Sequence, residues 1–348
     1  MILHVCILDK FIEPFYAFVE KNFADFDAKH QFFIDGTSDK YAAPTGNNVF
    51  LAHSVSRLTS YFMLIRQMNH AEKIILHGLW DRRILELLTV QPWLLKKCYW
   101  VIWGGDLYTR ILSEQTLGWW RFEILRRICI RHIGHFITHI SGDYELAQKW
   151  YGAEGVWHEC FMYPSNLYHE SPVQVTQHEG FNILLGNSAD PSNNHIDALE
   201  KLRPYSAEDI RIFCPLSYGD AEYAKQVEDY GKSIFGDKFN PLLEFMRLDE
   251  YKKLLAKIDI AVFNHKRQQG MGNITTLLGM GKKVFMRSDI TSYHTIRSLG
   301  AIVFDVECFN LISLEAGSAS NNKLIISQYF SSKTLIAQLD NIFQSTFE

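Results

Sequence analysis

The sequence predicts an α/β protein with two doubly wound domains, and three observations lead to that prediction. Short apolar runs of strand length alternate with stretches of helical periodicity along most of the chain, which favours parallel sheets covered by helices. The alternation stops in a polar, turn-rich stretch and then restarts. The chain of 348 residues is also longer than one hydrophobic core usually supports. We therefore expect a first domain over residues 1–165, a linker over 166–180, a second domain over 181–325, and a C-terminal helix over 326–348 that packs back on the first domain.

Each predicted strand is a short apolar run that ends at a polar or glycine residue. In the first half the strands are 2–8, 31–34, 49–51, 73–76, 99–103 and 136–140, and the helices are 13–23, 55–68 and 81–89. In the second half the strands are 181–185, 210–214, 258–263 and 284–286, and the helices are 195–202, 222–235, 251–257, about 273–281 and the tail 324–347. Strands joined through helices form right-handed crossovers. We expect ligands to bind beyond the carboxyl ends of these strands, where loops and helix N-termini present backbone N–H groups.

Composition and charge exclude several classes of protein. The 35 lysines and arginines against 39 acidic residues leave a net charge of −4, which argues against a nucleic-acid partner. The apolar start lacks a basic region and is interrupted at Asp9, so we expect no signal peptide. No stretch approaches the ~20 apolar residues of a membrane span. The six cysteines are scattered without zinc spacing, and reduced thiols in the core are expected.

Two strand exits in the first half carry titratable side chains. His77 follows one strand, and it is either a buried, hydrogen-bonded imidazole or a proton acceptor. Gly104 and Gly105 precede Asp106 at the end of the next strand, and two glycines allow a sharp turn or a close approach to a ligand. Asp106 is then either the N-cap of the following helix or a general base for an acceptor hydroxyl.

Two exits in the second half have the composition of a phosphate-binding site. Gly186, Asn187 and Ser188 begin a segment of small polar residues, whose amides either form a turn or face a diphosphate. The exit at 264–273 combines two cations, four side-chain amides and two glycines at a predicted helix N-terminus. Such a set can neutralise a leaving diphosphate without a metal ion. Tyr218 is either a packing residue or a partner for a nucleobase or phosphate. The candidate donor-binding residues of the second exit are Lys266, Arg267, Gln268, Gln269, Gly270, Gly272 and Asn273.

Residues 119–133 predict an amphipathic helix that is rich in arginine. At 100° per residue, one arc is apolar and the other carries most of the charges. The apolar arc holds Phe122, Ile124, Leu125, Ile128 and Cys129, and the opposite side holds Glu123, Arg126, Arg127 and Arg131. Such a helix either packs its apolar stripe into the core or lies against an anionic membrane face, and the two arrangements are compatible.

The segments with these motifs resemble a known family. In chain order they are HG at 77–78, WVIWGGDLY at 100–108, YP at 163–164, LGNSADPSNNHI at 185–196, PLSY at 215–218 and RQQGMG at 267–272. They resemble the bacterial dTDP-N-acetylfucosamine:lipid II N-acetylfucosaminyltransferases of glycosyltransferase family 56, also described as 4-alpha-L-fucosyltransferases. The resemblance extends in order from about residue 74 to residue 286. This chain has Gly105 where the family usually has alanine.

The resemblance implies a GT-B fold, in which two Rossmann-like domains face a cleft. It implies a dTDP-sugar donor, bound by the C-terminal domain, and a polyprenyl-diphosphate-linked acceptor, bound by the N-terminal domain. The protein would then lie peripherally on the cytoplasmic side of the bacterial inner membrane. The expected reaction is a transfer without metal or other cofactor of 4-acetamido-4,6-dideoxygalactose (Fuc4NAc), in the synthesis of enterobacterial common antigen or a related polysaccharide.

In that reaction Asp106 or His77 would orient or deprotonate the acceptor hydroxyl. The acceptor site would be lined by Trp103, Gly104, Gly105 and Tyr108. Two alternatives remain open at this point. The first is a non-catalytic protein that binds nucleotide sugars or polyprenyl phosphates, and the second is a nucleotide-sugar epimerase of the same fold, which would convert free donor without an acceptor.

Overall fold

A computed structural model of the protein describes residues 1–170 and 178–345, and the chain forms two compact units. The first unit comprises Met1–Leu167 and Ser332–Glu348, and the second comprises Tyr168–Ser331. Half of the predicted linker, residues 171–177, lies outside the described residues, and so does the predicted helical end at 346–348.

The first unit contains a parallel sheet of seven strands. They are β1 (Ile2–Ile7), β2 (His30–Asp35), β3 (Val49–Leu51), β4 (Lys73–His77), β5 (Cys98–Val101), β6 (His135–Ile137) and β7 (Val156–His158). Their order across the sheet is β3-β2-β1-β4-β5-β6-β7, with every neighbouring pair parallel. The order reverses between β1 and β4, and open sheets bind ligands beyond the carboxyl ends of the strands at such a reversal.

Helices cover this sheet, and capping residues fix where several of them begin. The helices are α1 (Ile12–Asn22), α2 (Phe26–Lys29), α3 (Arg57–His70), α4 (Arg82–Val90), α5 (Gly105–Leu112), α6 (Leu117–His132) and α7 (Ser141–Tyr151). Ser56, Asp81 and Thr116 accept backbone N–H groups at the starts of α3, α4 and α6, the usual role of such side chains. Because helices shield the sheet, strands such as β4 are continuous apolar runs rather than alternating ones.

The second unit repeats this architecture with six parallel strands. They are β8 (Phe181–Leu185), β9 (Ile210–Pro215), β10 (Phe239–Leu242), β11 (Ile260–Phe263), β12 (Lys283–Met286) and β13 (Phe304–Asp305), in the order β10-β9-β8-β11-β12-β13. Its helices are α8 (His195–Leu202), α9 (Ala221–Phe235), α10 (Leu248–Lys257), α11 (Met271–Gly279), α12 (Thr291–Ser298) and α13 (Ala316–Tyr329). The order reverses between β8 and β11. Both units are doubly wound α/β domains, which confirms the predicted fold class.

The last helix, α14 (Ser332–Gln344), belongs to the first unit. Lys73 holds its end, because the ammonium group donates to the carbonyls of Ile342 and Phe343 at 2.6 and 2.8 Å. The boundary expected between residues 325 and 326 falls inside α13, whose Asn322 is tied to Ile302 by two hydrogen bonds. Within residues 1–170 and 178–345, none of the helices has the length and apolar character needed to cross a bilayer.

Helix α6 presents a different face to the core from the one predicted. Arg126 and Glu123, expected on the outer side, are buried, and Arg126 Nε lies 3.4 Å from Glu123 Oε2. Arg126 also donates to the hydroxyl of Tyr151 at 3.2 Å. Ile124 and Ile128, expected to face the core, are 56% and 41% exposed. The prediction was wrong for these residues, because the buried face of α6 holds Glu123 and Arg126 together with Cys129 and so combines residues of both predicted arcs. The two buried charges pair with each other.

Candidate functional site

Asp106 lies in the first turn of α5, just beyond the carboxyl end of β5. Its carboxylate is fully buried and accepts four hydrogen bonds. Oδ1 accepts the backbone N–H groups of Trp103 and Leu107, both at 3.0 Å, and Oδ2 accepts the indole N–H of Trp100 at 2.7 Å and the backbone N–H of Leu79 at 3.1 Å. Burial raises the pKa of Asp106, although these donors oppose the shift. Asp106 is not the N-cap of α5, which is Gly104. A buried carboxylate with four donors nevertheless fits a structural role better than the role of a general base.

His77 ends β4 and belongs to a buried chain of imidazoles. Its Nε2 lies 3.0 Å from Nδ1 of His4, and His4 Nε2 lies 2.9 Å from Nδ1 of His30. On the other side, His77 Nδ1 lies 2.7 Å from the hydroxyl of Tyr163, which also accepts the indole N–H of Trp103 at 3.0 Å. Burial lowers the pKa of His77 to about 3. Because both ring nitrogens are engaged and the ring stays neutral, His77 fits the structural alternative and orients Tyr163.

The four residues expected to line the acceptor site differ in exposure. Trp103 and Gly105 are half-buried, whereas Gly104 and Tyr108 are buried. Gly104 precedes α5 with φ of 80°, a conformation that favours glycine. The Tyr108 hydroxyl donates to Asp143 at 3.3 Å inside the core. Tyr108 therefore lies in the packing of the first unit, away from the position expected for an acceptor contact.

A cavity of about 730 Å³ opens at the carboxyl edge of the first sheet, beside α3 and α4. Several of its large apolar side chains are exposed, namely Ile7, Leu58, Tyr61 and Trp80. Its two arginines differ in their partners. Arg83 forms ion pairs with Asp35 and Asp81, whereas Arg57 forms none with the described residues. The two arginines and two aspartates of the lining balance in charge, and Arg57 is the cation that lies beside the apolar wall without an ion pair among the described residues. A cation beside an apolar wall can bind an amphiphilic anion. This cavity was not predicted from the sequence, because its wall is formed by several segments that lie apart in the chain.

In the second unit, Asn193 organises the loop after β8. Its Oδ1 accepts the backbone N–H of Asn187 at 2.9 Å, and its Nδ2 donates to Ser188 Oγ at 3.1 Å. The backbone N–H of Gly186 donates to the carbonyl of Val262 at 2.9 Å. We predicted that the amides of Gly186 and Asn187 and the Ser188 hydroxyl face a diphosphate. The Gly186 N–H is instead used by β11 and the Asn187 N–H by the loop itself, and the buried Ser188 oxygen accepts a bond from Asn193.

Arg267 links the loop after β11 to the loop after β8. Its Nη2 lies 3.2 Å from Asp190 Oδ2, and its Nε donates to Ser192 Oγ at 3.1 Å. The Ser192 hydroxyl also lies 3.0 Å from Gln269 Oε1. Partial burial disfavours the charged form of Asp190, but hydrogen bonds from Ser192 and the Arg267 charge outweigh it and hold the pKa of Asp190 below its ordinary value. Lys266 is exposed.

Helix α11 begins directly after Gly270, and no side chain caps its first turn, which contains Gly272. Gly270 has φ of 68°, and a Cβ at this position would lie 3.1 Å from the ring of His265 and 3.3 Å from the side chain of Asn187. Glycine is therefore favoured here by backbone conformation and by space. Helix α11 has nine residues, and its N-terminus lies next to Lys266 and Arg267 in the chain. A helix N-terminus without a side-chain cap, beside two cations, can stabilise an anion.

Two tyrosines and two asparagines lie beside this helix N-terminus. Asn187 Nδ2 donates to the hydroxyl of Tyr218 at 3.2 Å, and Asn273 Nδ2 donates to the hydroxyl of Tyr251 at 3.0 Å. Tyr218 is 46% exposed, whereas burial raises the pKa of Tyr251, with a further contribution from Tyr218. Tyr251 carries no sequence signal, because it comes from α10 and reaches the site only through the fold.

Buried polar atoms without partners concentrate at these two loops. Of the buried side-chain atoms that have no hydrogen-bond partner among the described residues, six lie here: Asn187 Oδ1, His195 Nε2, Asn264 Oδ1, His265 Nε2, Gln268 Oε1 and Gln269 Nε2. Such atoms are uncommon in folded proteins and call for a ligand, a water or an ion. Burial lowers the pKa of His195 to about 4 and that of His265 to about 3. Both histidines lie in motifs singled out from the sequence, although neither was predicted as a site residue.

The carboxyl edge of the second sheet thus combines cations, a helix N-terminus and neutral hydrogen-bonding groups. Groups of this kind are suited to a phosphorylated ligand and can stabilise negative charge on a leaving phosphate. Among the described residues, no group of three His, Cys, Asp or Glu is placed to hold a metal ion.

Comparison with known protein families identifies the family to which this chain belongs. The model of the 4-alpha-L-fucosyltransferase family, glycosyl transferase group 56, matches residues 12–294. The chain belongs to glycosyltransferase group 56. The resemblance seen in the motifs is thereby confirmed, and the group 56 match extends into the N-terminal region beyond the motifs.

Solved structures similar to this group 56 protein share its fold at low sequence identity. HepE from Anabaena, in complex with UDP and glucose, matches with a TM-score of 0.68 and 13% identity over 99% of this chain and 100% of that chain. Sucrose-phosphate synthase from Thermosynechococcus elongatus matches with a TM-score of 0.63 and 8% identity over 99% of this chain and 98% of that chain. WaaG, a glycosyltransferase of lipopolysaccharide biosynthesis, matches with a TM-score of 0.56 and 11% identity over 97% of this chain and 93% of that chain. The predicted GT-B fold is confirmed, and the group 56 protein is a glycosyltransferase.

Proposed function

We propose that this glycosyltransferase moves a deoxy-amino sugar from a dTDP-linked donor to a polyprenyl-diphosphate-linked saccharide. The sugar we propose is Fuc4NAc, and the product a repeat unit of enterobacterial common antigen or of a related surface polysaccharide. Membership of group 56 supports this class of reaction. The structure of HepE with UDP and glucose supports a nucleotide-sugar donor on this fold.

The observation that carries the donor part of the proposal is the set of groups at the carboxyl ends of β8 and β11. Unpartnered buried polar atoms meet Lys266, Arg267 and the N-terminus of α11 there. These cations and the helix N–H groups bind the diphosphate and stabilise the charge that develops as it leaves. The exposed ring of Tyr218 stacks on the nucleobase. In this proposal the protein supplies the compensating charge, so transfer continues in the presence of a chelator.

The first unit binds the acceptor in this proposal. The cavity beside α3 receives the apolar carrier, with Arg57 against its diphosphate, and Trp103 contacts the saccharide at the edge of the sheet. Asp106 and His77 are positioning residues. Asp106 fixes the backbone of Trp103, and His77 fixes the hydroxyl of Tyr163, which in turn holds the Trp103 indole.

The outer face of α6 supports a peripheral position on the cytoplasmic face of the inner membrane. Leu117, Trp120, Ile124 and Ile128 are exposed at helical spacing, and Arg121 and Arg127 are exposed beside them. Apolar and aromatic side chains flanked by arginines bind anionic lipid surfaces. The prediction of a membrane-binding helix therefore remains, with Ile124 and Ile128 taken from the predicted apolar arc and Leu117 and Trp120 from outside it.

Vesicle flotation tests the membrane contact. We expect the protein to float with vesicles that contain phosphatidylglycerol and to stay below vesicles of phosphatidylcholine alone. The double variant Trp120→Ser/Ile124→Ser should lose about tenfold in partitioning, because it removes most of the inserted apolar area. Leu324→Ser, an equally exposed apolar position in the second unit, is the control. Equal flotation of the double variant would remove this surface from the proposal.

Calorimetry and mass spectrometry test the reaction and separate it from its alternatives. We expect dTDP to bind more tightly than UDP or GDP, and a glycosylated lipid product to appear only when donor and acceptor are both present. Binding without any product would favour a non-catalytic protein. Conversion of free dTDP-sugar without an acceptor would favour an epimerase.

A further inference from the structure

Four of the carboxylates at the carboxyl edge of the first sheet differ in their partners, and three of these four are engaged by the fold. Asp35, at the end of β2, and Asp81, after β4, both form ion pairs with Arg83. Asp106, after β5, is buried under four hydrogen-bond donors. Asp9, after β1, is the fourth. It is half-buried, and within the described residues it forms no ion pair and no hydrogen bond to another side chain.

The Asp9 carboxylate is fixed in place by the backbone. Its Oδ1 accepts the backbone N–H of Phe11 at 2.8 Å, in a turn that leads into α1. β1 is the strand next to the reversal of sheet order, so Asp9 lies where open α/β sheets bind their ligands. A carboxylate that is held only by backbone N–H groups of its own turn keeps lone pairs available for a substrate hydroxyl.

Aromatic rings border this carboxylate. The ring centroids of Phe11, Trp103 and Tyr163 lie 5.1 to 5.4 Å apart. Asp9 accepts the backbone N–H of Phe11, so its carboxylate lies beside this group. Rings of this kind stack against the apolar face of a sugar. The acceptor saccharide would then present a hydroxyl beside a carboxylate.

We propose that Asp9 is the general base of the transfer, a role that rests on the proposed function. The carboxylate takes the proton of the acceptor hydroxyl. The acceptor oxygen forms its bond to the anomeric carbon of the donor sugar, and the bond between that carbon and the diphosphate oxygen breaks. The electron pair of the broken bond leaves with the nucleoside diphosphate. His77 and Asp106 act indirectly, because they fix Tyr163 and Trp103 beside Asp9.

The electrostatic surroundings of Asp9 suit this task. Partial burial raises the pKa of Asp9 to about 6, against the N–H of Phe11 and the charge of Lys10, which lower it. The other ionisable groups that interact with Asp9 are the buried thiol of Cys6 and the buried phenol of Tyr163, and burial raises the pKa of both. Asp9 is therefore ionised at pH 7, yet more basic than an ordinary aspartate, as general-base catalysis requires.

The test compares Asp9→Asn and Asp9→Glu with Glu13→Gln, which removes an exposed charge from the same segment. The assay uses dTDP-Fuc4NAc and a polyprenyl-diphosphate-linked saccharide, and dTDP affinity is measured by calorimetry. We expect Asp9→Asn to lower kcat by about 10²- to 10⁴-fold, with unchanged dTDP affinity. Asp9→Glu should recover part of the rate, and Glu13→Gln should match the wild type. Wild-type kcat/KM should fall below about pH 6, the pKa of Asp9, and Asp9→Asn should lose that dependence.

The outcomes separate this role from the proposed function. Transfer by the wild type together with an Asp9→Asn rate within threefold would overturn the role of Asp9 and leave the proposed function standing. A loss of rate accompanied by a loss of dTDP affinity or of folded protein would also overturn it, because the effect would then be structural. Absence of transfer by the wild type, with intact dTDP binding, would overturn both proposals.

Discussion

The guanidinium of Arg267 lies 3.2 Å from the carboxylate of Asp190, and this ion pair joins the two loops that carry most of the candidate donor site. Arg267 is thus held in place before any ligand binds. A cation fixed in this way loses little side-chain entropy when it meets a diphosphate, which favours binding and stabilisation of the leaving group.

Replacement of Arg267 by alanine should therefore weaken the binding of dTDP. Loss of a charged hydrogen-bond donor to phosphate is expected to lower the affinity by about 10- to 100-fold. Calorimetry with dTDP measures this loss of affinity. Arg203→Ala is the control, because Arg203 pairs with Glu200 on the surface of the same unit. An unchanged dTDP affinity in Arg267→Ala would contradict this role.

Replacement of Asp106 by asparagine should destabilise the first unit. The amide would turn an N–H₂ group toward donors that now meet a carboxylate oxygen, and a buried unsatisfied donor costs about 1–3 kcal/mol. Urea denaturation should show a reduced free energy of unfolding, and dTDP affinity should be unchanged because that site lies in the second unit. Wild-type stability in this variant would restore the reading of Asp106 as an available base.

The buried ion pair of α6 predicts that the adjacent residues Arg126 and Arg127 contribute very differently to the free energy of unfolding. Arg126→Met leaves Glu123 buried with less compensation, and breaking a buried pair lowers the free energy of unfolding by about 3–5 kcal/mol. Arg127→Met changes an exposed side chain and should stay within about 0.5 kcal/mol of the wild type. Equal stability of the two variants, measured by denaturation, would show that the predicted orientation of the helix was correct.

Acid should unfold the protein through its buried histidines. Burial lowers the pKa of His77 to about 3 and those of His30 and His139 to about 4. Between these values and 6.5 the unfolded chain binds more protons than the folded chain, so the free energy of unfolding falls as the pH falls. Each such histidine contributes up to about 1.4 kcal/mol per pH unit. Denaturation midpoints at pH 7, 6 and 5 measure this slope, and a flat profile would contradict it.

Much of the fold follows from local sequence pattern. The apolar runs that become β1, β4, β8 and β11 are recognisable because strands covered on both faces by helices are apolar throughout. The short strands β7 and β10 were not predicted, because β7 is largely exposed and β10 contains Pro241, and neither has a distinctive pattern. The donor loop after β11 was predicted from its composition, although its ion pair with Asp190 was not.

The sequence by itself determined the alternation of strands and helices, the two domains and the strand exits where polar residues meet, because these properties depend on neighbours along the chain. Only the tertiary structure decided which of those residues are available to a ligand. Burial and hydrogen bonding come from segments far apart in sequence: Trp100 and Leu79 saturate Asp106, and His4 and Tyr163 enclose His77. The same long-range packing left Asp9 half-exposed at the end of β1, a position that no local pattern distinguishes.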